Sequence, residues 1–565
     1  MRPAGRSELD SLYFPYPHFA APDQRDRLSQ PVRVLIAGAG PVGLTAALAL
    51  ARHGIESVLL EAKASFNDGS RAICLARQSF HIFEAIGAIE PFMQKALPYL
   101  SGRSFFRGTQ ILEFFMPDSP DQKYRPMYNL EQQFTEQFLY EAVAREPLIE
   151  VRWQSRVTAV RQDEQAVRVR VEDALGDYEL AAEWLLAADG ARSTVRNLRG
   201  LRLRGENFEG RYVIADIRMR RQEQGAHRPV ERLALFEPAS RPNGTVLVHE
   251  QPDHIWRIDY QLRADESEEK ALEEPSIRKA VSGVLSDLGW DHPWDLEWWS
   301  IYSANTLALD DYRDGRIFYI GDSAHIVPIF GVRGLNNGLA DAQNIAWKLA
   351  GVLNRQASQD ILNSYSPERR GATMDVFANA SKSSRFMTPQ TRGGALMRDA
   401  ALSLALRHPF AGEFANPRNM TPYTYADSAL VTPDSDSWTS GAAPGAVAGN
   451  VRLESGFLSD RFGRDFTLLC FGHVPDVKPH ARLSVVRFPA EGAVARAYGA
   501  IDGSAYLIRP DMHVSGRWRQ ARAEIIEGAL RRSWGHSVPQ TARYTESPSG
   551  CATAPHAAPH AGALS

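Results

Sequence analysis

Apolar residues enter this chain as short blocks separated by stretches of helical spacing. Residues 32 to 37, VRVLIA, form a β-branched, apolar run that predicts a buried strand. Leu44, Ala47, Leu48 and Ala51 then recur at helical spacing, and Ser57-Val58-Leu59-Leu60 predicts the next strand. Further runs at 184–188 (WLLAA) and 316–320 (RIFYI) precede a stripe of Leu339, Ala342, Ala346, Leu349 and Leu353 on one helical face. Strands alternating with helices in this way predict an α/β fold with a parallel sheet. Between these blocks the period changes to two. Tyr212–Ile217, Thr245–His249 and Ile255–Leu262 alternate as half-buried strands of a separate sheet.

From about 376 to 448 the regularity fades and Pro, Gly, Ser and Asp collect, which predicts a connector with some helix, including 401–406. Strand-like runs return at 466–471, 483–488 and 505–511, with a helix expected over 521–531. From about Thr545 onward Pro, Ala, Ser and His dominate, and a disordered tail is expected. His556 and His560 lie four apart there, but Pro559 between them argues against a helical metal site, and no metal is expected.

Composition narrows the partners. A chain of 565 residues calls for about three units. A net charge of -3 leaves no basic excess to neutralise a phosphate backbone, so nucleic acid is not an expected partner. Cys74, Cys470 and Cys551 lack the paired spacing of a disulfide framework, a zinc site or a dithiol centre, as in a reduced, cytoplasmic protein. The 18 uncharged residues between Arg33 and Arg52 reach the length of a membrane span, yet three glycines and a proline interrupt them. Neither a membrane span nor a secretory signal is expected.

Those glycines have a chemical reading. Gly38-Ala39-Gly40-Pro41-Val42-Gly43 stands where the first strand turns into the first helix, whose unpaired N–H groups and partial positive charge suit a pyrophosphate. Gly38 permits the turn, Gly40 lets the backbone approach the phosphate, and Gly43 lets helix and strand pack closely. Glu61, followed by Ala62, closes the second strand where a carboxylate can accept hydrogen bonds from a ribose diol. A dinucleotide is the expected ligand.

Two later motifs narrow the cofactor. The third strand leads into Asp189-Gly190-Ala191-Arg192-Ser193-Thr194-Val195-Arg196. The fourth leads into Gly321-Asp322-Ser323-Ala324-His325, then Pro328 and Gly334-Leu335-Asn336-Asn337-Gly338. With the glycine motif, this ordered triple resembles the flavoprotein aromatic hydroxylases, the family of p-hydroxybenzoate hydroxylase, phenol hydroxylase and 3-(3-hydroxyphenyl)propionate hydroxylase, over roughly residues 30 to 375. The resemblance implies bound FAD. Asp322 would bond the ribityl hydroxyls, Leu335 and Asn336 would hold the pyrimidine edge, and Arg333 would add positive charge there. Gly321 and Gly334 belong to the same cradle, and helix capping is the alternative role for Asp322 and Asn336. Arg71 matches an arginine near the adenosine and phosphates, and Gln132, with Gln133 beside it, a glutamine near the pyrophosphate. Asp189 could serve flavin and nicotinamide alike; a surface ion-pair helix would look similar.

The resemblance further implies a Rossmann-like FAD domain with an inserted β-sheet substrate domain and a C-terminal thioredoxin-like α/β domain. The expected division is an N-terminal arm 1–30; FAD domain 31–102, 136–205 and 306–375; substrate domain 103–135 and 206–305; connector 376–448; thioredoxin-like domain 449–540; and tail 541–565. Lacking a CxxC, the thioredoxin-like domain is expected to be structural or to serve subunit contacts such as a homodimer. NADH or NADPH would reduce FAD, O2 would add at flavin C4a, and the hydroperoxide would pass its distal oxygen to a small phenolic substrate. Pro328 is a further candidate at the catalytic site, and after it many relatives carry a second proline facing the substrate where this chain has Ile329, a bulkier apolar wall. A phenol-deprotonating group is expected, with His249, Tyr260 and Tyr302 as candidates by type and position. The competing classes are a halogenase or reductase on the same fold, against which the absence of a Trp-x-Trp-x-Ile-Pro motif counts in part, and a non-catalytic flavoprotein that binds partners.

Overall fold

The computed structural model describes residues 1, 3, 14–22, 32–219, 229–263, 265–327, 333–389, 391–416, 421–473 and 476–537. Pro328, Ile329, Cys551, both tail histidines and the whole expected tail lie outside them.

Val32–Ala37 is central to the first sheet, an eight-stranded one. It pairs in parallel with Ser57–Leu60 on one side and Gly176–Ala187 on the other. Ile149–Arg152 and Ile317–Tyr319 extend the parallel array outward. A strand buried on both faces has to be apolar throughout, which is why these runs read as blocks rather than alternations. The helices Pro41–Arg52 and Gly334–Leu353 pack directly on each other. Arg156–Gln162 and Val167–Asp173 add an antiparallel extension to Gly176–Ala187.

The second sheet also has eight strands. Trp294–Ala308, Arg204–Met219, Ile255–Leu262, Thr245–Glu250 and Glu231–Phe236 run antiparallel in that order; Glu231–Phe236 then pairs in parallel with Ser101–Phe106. One face packs Val213, Ile217, Val248, Ile258 and Tyr260 against the helix Glu274–Asp287. On the other face Tyr212, Ala234, Phe236 and Leu247 pack against Met387, Leu402, Ala405 and Ala411, while Arg257 donates to the carbonyls of Ser70 and Arg71.

The third unit has four strands in the order Leu483–Phe488, Phe466–Phe471, Ala505–Ile508, Val514–Trp518, the first pair parallel and the others antiparallel. It is not separate from the first. Phe466, Leu468, Leu507, Trp518 and Ile526 belong to the same continuous apolar core as Val34, Leu35 and Leu339. Trp347 of the long helix meets Phe466 at 5.7 Å and Trp534 at 6.1 Å, both edge-on.

Candidate cofactor cradle and sheet-roofed site

The three glycine motifs, about 280 residues apart at their extremes, meet at one point. Gly38 adopts φ +102, and a Cβ there would lie 2.6 Å from the carbonyl oxygen of Ala188. A Cβ on Gly43 would lie 2.0 Å from the carbonyl oxygen of Gly38, so only glycine lets this helix start against its strand. Above Gly40 nothing lies within 4 Å of a Cβ position. Pro41 opens the helix, where its missing N–H costs nothing. The Val42 side chain reaches across to the other motifs, with Cγ2 at 3.1 Å from a Cβ position on Gly321 and 2.7 Å from one on Gly338.

Around this junction stand the remaining candidates. Glu61 accepts hydrogen bonds from the Ala39 N–H at 3.0 Å and the Lys63 N–H at 2.9 Å, which fixes its carboxylate beside the glycine turn; Ala62 next to it is exposed. Asp322 is exposed by its surface area, yet desolvation still raises its carboxyl above the usual range, against the pull of His325, Arg71 and Arg196. An acid that water touches but protein surrounds lines a deep cleft. Arg71 is exposed nearby. Gln132 is bonded to the loop at 69–72, its N–H donating to Ser70 Oγ at 2.8 Å and its amide oxygen accepting from Ala72 at 3.3 Å.

The long helix begins at Gly334 with Arg333 at its N-cap. Arg333 is buried, and burial lowers its pKa against the opposing charge of Asp375. Leu335 is half-buried. Asn336 donates to the Cys74 carbonyl at 3.0 Å and accepts from the Ala76 N–H at 2.8 Å, so it locks the helix start to the strand Cys74–Ala76. Asp189 is turned inward. Its carboxylate accepts from Ser193 Oγ and the Val195 N–H and so caps the helix Thr194–Leu198, while burial raises its pKa.

The inner face of the second sheet roofs this junction. Arg257, 1 % exposed, pairs with Asp216 through two N–H groups and donates to the carbonyls of Ser70 and Arg71, tying the roof to the loop at 69–71. His249 is on this face, its Nδ1 buried without a hydrogen-bond partner among the described residues. Burial, then Arg232 and Arg257, pushes its pKa well below the usual value, so it is neutral. Tyr302 stacks on Tyr212 at 5.7 Å, and its hydroxyl also lacks a partner among those residues. Tyr260 corrects the sequence reading. Strand parity sends it to the opposite face, into the core with Val213 and Ile258 and under the Arg241 guanidinium, away from the cradle.

Sequence reasoning missed two features. One is the Arg257–Asp216 clasp, signalled only by charges at alternate positions of an otherwise apolar strand. The other is a polar seam along the long helix. Asp341, fully buried, accepts from the Gly321 N–H at 3.0 Å, meets His325 Nε2 at 2.7 Å and accepts from Arg369 Nε at 2.6 Å. Two turns on, Lys348 donates to Glu368 at 2.7 Å, and Glu368 receives two N–H groups of Arg509 from the third unit, at 2.7 and 3.0 Å. Asp511 beside Arg509 accepts from Trp347 Nε1 at 3.1 Å. The seam therefore joins the third unit to the turn that carries Gly321 and Asp322.

Comparison with known proteins agrees with this geometry. A 3-(3-hydroxy-phenyl)propionate/3-hydroxycinnamic acid hydroxylase of Mycobacterium sp. (strain JLS) is 29% identical over 537 residues, covering 88% of this chain and 91% of the relative. Its namesake from Klebsiella pneumoniae is 26% identical and covers 81% of each chain. Among solved structures, the flavin-dependent monooxygenase PieE in complex with FAD and substrate superposes with a TM-score of 0.75 at 23% identity, over 90% of this chain and all of that one. Aklavinone-11 hydroxylase with FAD and aklavinone gives 0.70 at 22%, over 89% and 99%. The family described as FAD binding domain matches residues 31–380, and the chain belongs to it.

Proposed function

We propose that this protein is an FAD-dependent monooxygenase that uses NADH or NADPH and O2 to hydroxylate a small phenolic substrate. The observation that carries the reading is the cleft itself. Three glycine motifs meet at Val42 beneath a sheet face that presents buried polar groups among apolar ones. The printed names of relatives spanning nearly the whole chain support the same chemistry.

Bound FAD, once reduced by NAD(P)H, supplies the oxygen activation. The chain's own residues do the holding. Gly38, Gly40, Pro41, Val42 and Gly43 offer the helix N-terminus to the pyrophosphate, and Glu61 accepts from the adenosine ribose. Asp322 accepts from the ribityl hydroxyls. The N-terminus of Gly334–Leu353, with Leu335 and Asn336, takes the pyrimidine edge, and Arg333 favours negative charge there. Arg71 lies toward the phosphates. Gln132 and Asp189 act mainly by shaping their loops. The second sheet keeps water from the reacting ring. A sheet whose third strand is antiparallel to its neighbours supports a thioredoxin-like reading of 449–540. With Cys470 buried and alone, the role of that domain is to brace the long helix.

Oxidation of NAD(P)H by the purified holoenzyme should rise severalfold when a phenol such as 3-(3-hydroxyphenyl)propionate is added, with O2 consumed in proportion. A broad phenol panel without any stimulation would count against the reading. Asp322→Ala should lose the hydrogen bonds that the ribityl hydroxyls donate to a charged acceptor, about 1.5–3 kcal/mol, or roughly 10- to 100-fold in FAD affinity. Equilibrium titration of apoprotein with FAD measures this, and an unchanged affinity would remove Asp322 from the cradle.

A further inference from the structure

The inner face of the roof can be followed row by row through the strand register. Arg232, His249, Arg257 and Asp216 stand side by side on four successive strands. One row on stand Ala234, Leu247, Asp259 and Ile214, and one row further Tyr212 pairs with Tyr302. A period of two keeps all three rows on one face.

Asp216 and Arg257 satisfy each other. Asp259 has no such arrangement. It is 4 % exposed, and its Oδ1 is buried without a hydrogen-bond partner among the described residues. Leaving a buried carboxyl oxygen unbonded is costly, and native structures seldom do so where no ligand supplies the bond. The Tyr302 hydroxyl, one row away, is in the same position. These two orphaned polar groups, an acid and a hydroxyl on the same face with one strand between them, are close enough for the Asp259 charge to act on Tyr302, and together they match the oxygen of a phenol.

We propose that Asp259 is the catalytic residue that accepts the phenolic proton, with the Tyr302 hydroxyl donating to the resulting phenolate. The assignment rests on the aromatic-hydroxylase reading above and names the group that activates the substrate. The phenol O–H bond breaks, its electron pair stays on the oxygen and the proton moves to Asp259 Oδ1. When the hydroxylated ring rearomatises, the C–H bond at the oxygenated carbon breaks, its electron pair re-forming the ring and its proton leaving to solvent, while Asp259 returns its proton to the phenolic oxygen.

The charged and titratable groups around Asp259 are Arg257 on its own strand, Asp216, Arg232, Tyr212 and Tyr302 on other strands of the sheet, and Cys74 beneath them. Burial dominates, with Asp216 adding to it and the two arginines opposing, and raises Asp259 to about 7. A carboxyl in that range is suited to general-base work near neutral pH. Tyr302 is raised well above its ordinary value, by burial first and the Asp259 charge second, and keeps its proton to donate. His249, neutral and far below its usual pKa, is the weaker base.

The test uses 4-nitrophenol as a reporter bound to the FAD-loaded protein without NAD(P)H, its ionisation followed by difference absorbance against pH. In the wild type the reporter and Asp259 share one proton, because two adjacent anions resist coexisting. Nitrophenolate should therefore form at a pH higher by about one unit or more than in Asp259→Asn. Asp259→Ser, which also removes the charge, should shift the same way and serves if the asparagine variant fails to fold. Coincident titrations in the wild type and a folded variant would overturn the assignment while leaving the aromatic reading intact. Absence of nitrophenol binding by the wild type would overturn both.

Discussion

Arg509→Met should destabilise the protein by about 3–5 kcal/mol, the cost of removing one partner from a buried charge cluster, although Arg509 lies in the third unit, remote from the glycine motifs in sequence. Arg509, Glu368 and Lys348 are all 3 % exposed or less. The Arg509 guanidinium and the Lys348 ammonium hold Glu368 well below the usual carboxylate range, while burial opposes them; Lys348 itself is lowered to about 8 by burial. With Arg509 gone, Glu368 is left with the Lys348 ammonium and Asp511 with the His513 ring, and one carboxyl gains by taking up a proton. A carboxyl whose pKa is raised by folding contributes its stability at low pH and loses it as pH rises. The penalty of the substitution should then be largest near about pH 8 and smaller near about pH 5. Urea unfolding at both values measures it. Because Asp341 continues the seam to Gly321, flavin release should follow unfolding at lower urea in the variant. Equal midpoints for variant and wild type would show that the seam carries no stability.

Gly43→Ala should yield colourless protein. The new Cβ would sit 2.0 Å from the Gly38 carbonyl oxygen, a backbone atom that cannot swing aside, so helix and strand must part at the cradle. Overpacking of this kind costs about 3 kcal/mol. Gly40→Ala is the informative contrast. No protein atom lies within 4 Å of its Cβ position, so thermal stability of the apoprotein should stay near wild type while FAD affinity falls, the methyl group entering the space left for a pyrophosphate. Full flavin retention in Gly43→Ala, or in Gly40→Ala, would contradict the cradle as drawn.

Much of this cradle was legible because it is local. A strand, a glycine turn and a helix follow one another within about 20 residues, and the strands expected at 32–37, 57–60, 255–262, 466–471 and 483–488 form with those bounds. The roof was legible in part. Period two in Ile255–Leu262 already separates Arg257 and Asp259 from Trp256, Ile258 and Tyr260. Tyr260 has a suitable residue type but the parity of the opposite face, and Asp259, an acid inside a strand, resembles a solvent-facing residue in sequence.

The polar seam was harder to foresee. Asn337, Asp341, Asn344 and Lys348 form a stripe at helical spacing, which from sequence alone resembles a solvated face. Its partners Glu368, Arg369, Arg509 and Asp511 come from 20 to 167 residues away, and nothing local announces such pairing. The strand Val514–Trp518 was missed for a similar reason. Its β character comes from pairing with Ala505–Ile508 rather than from its own sequence, which carries Gly516 and Arg517.

The central claim is that this cleft places one oxygen atom from O2 onto a phenolic ring. Single-turnover reaction of the reduced holoenzyme with isotopically labelled O2 and 3-(3-hydroxyphenyl)propionate, followed by mass spectrometry of the aromatic product, tests it most directly. The expected product carries one labelled oxygen per ring, with formation reduced in Asp259→Asn. Recovery of the phenol unchanged, or of a product whose new oxygen comes from water, would contradict the account.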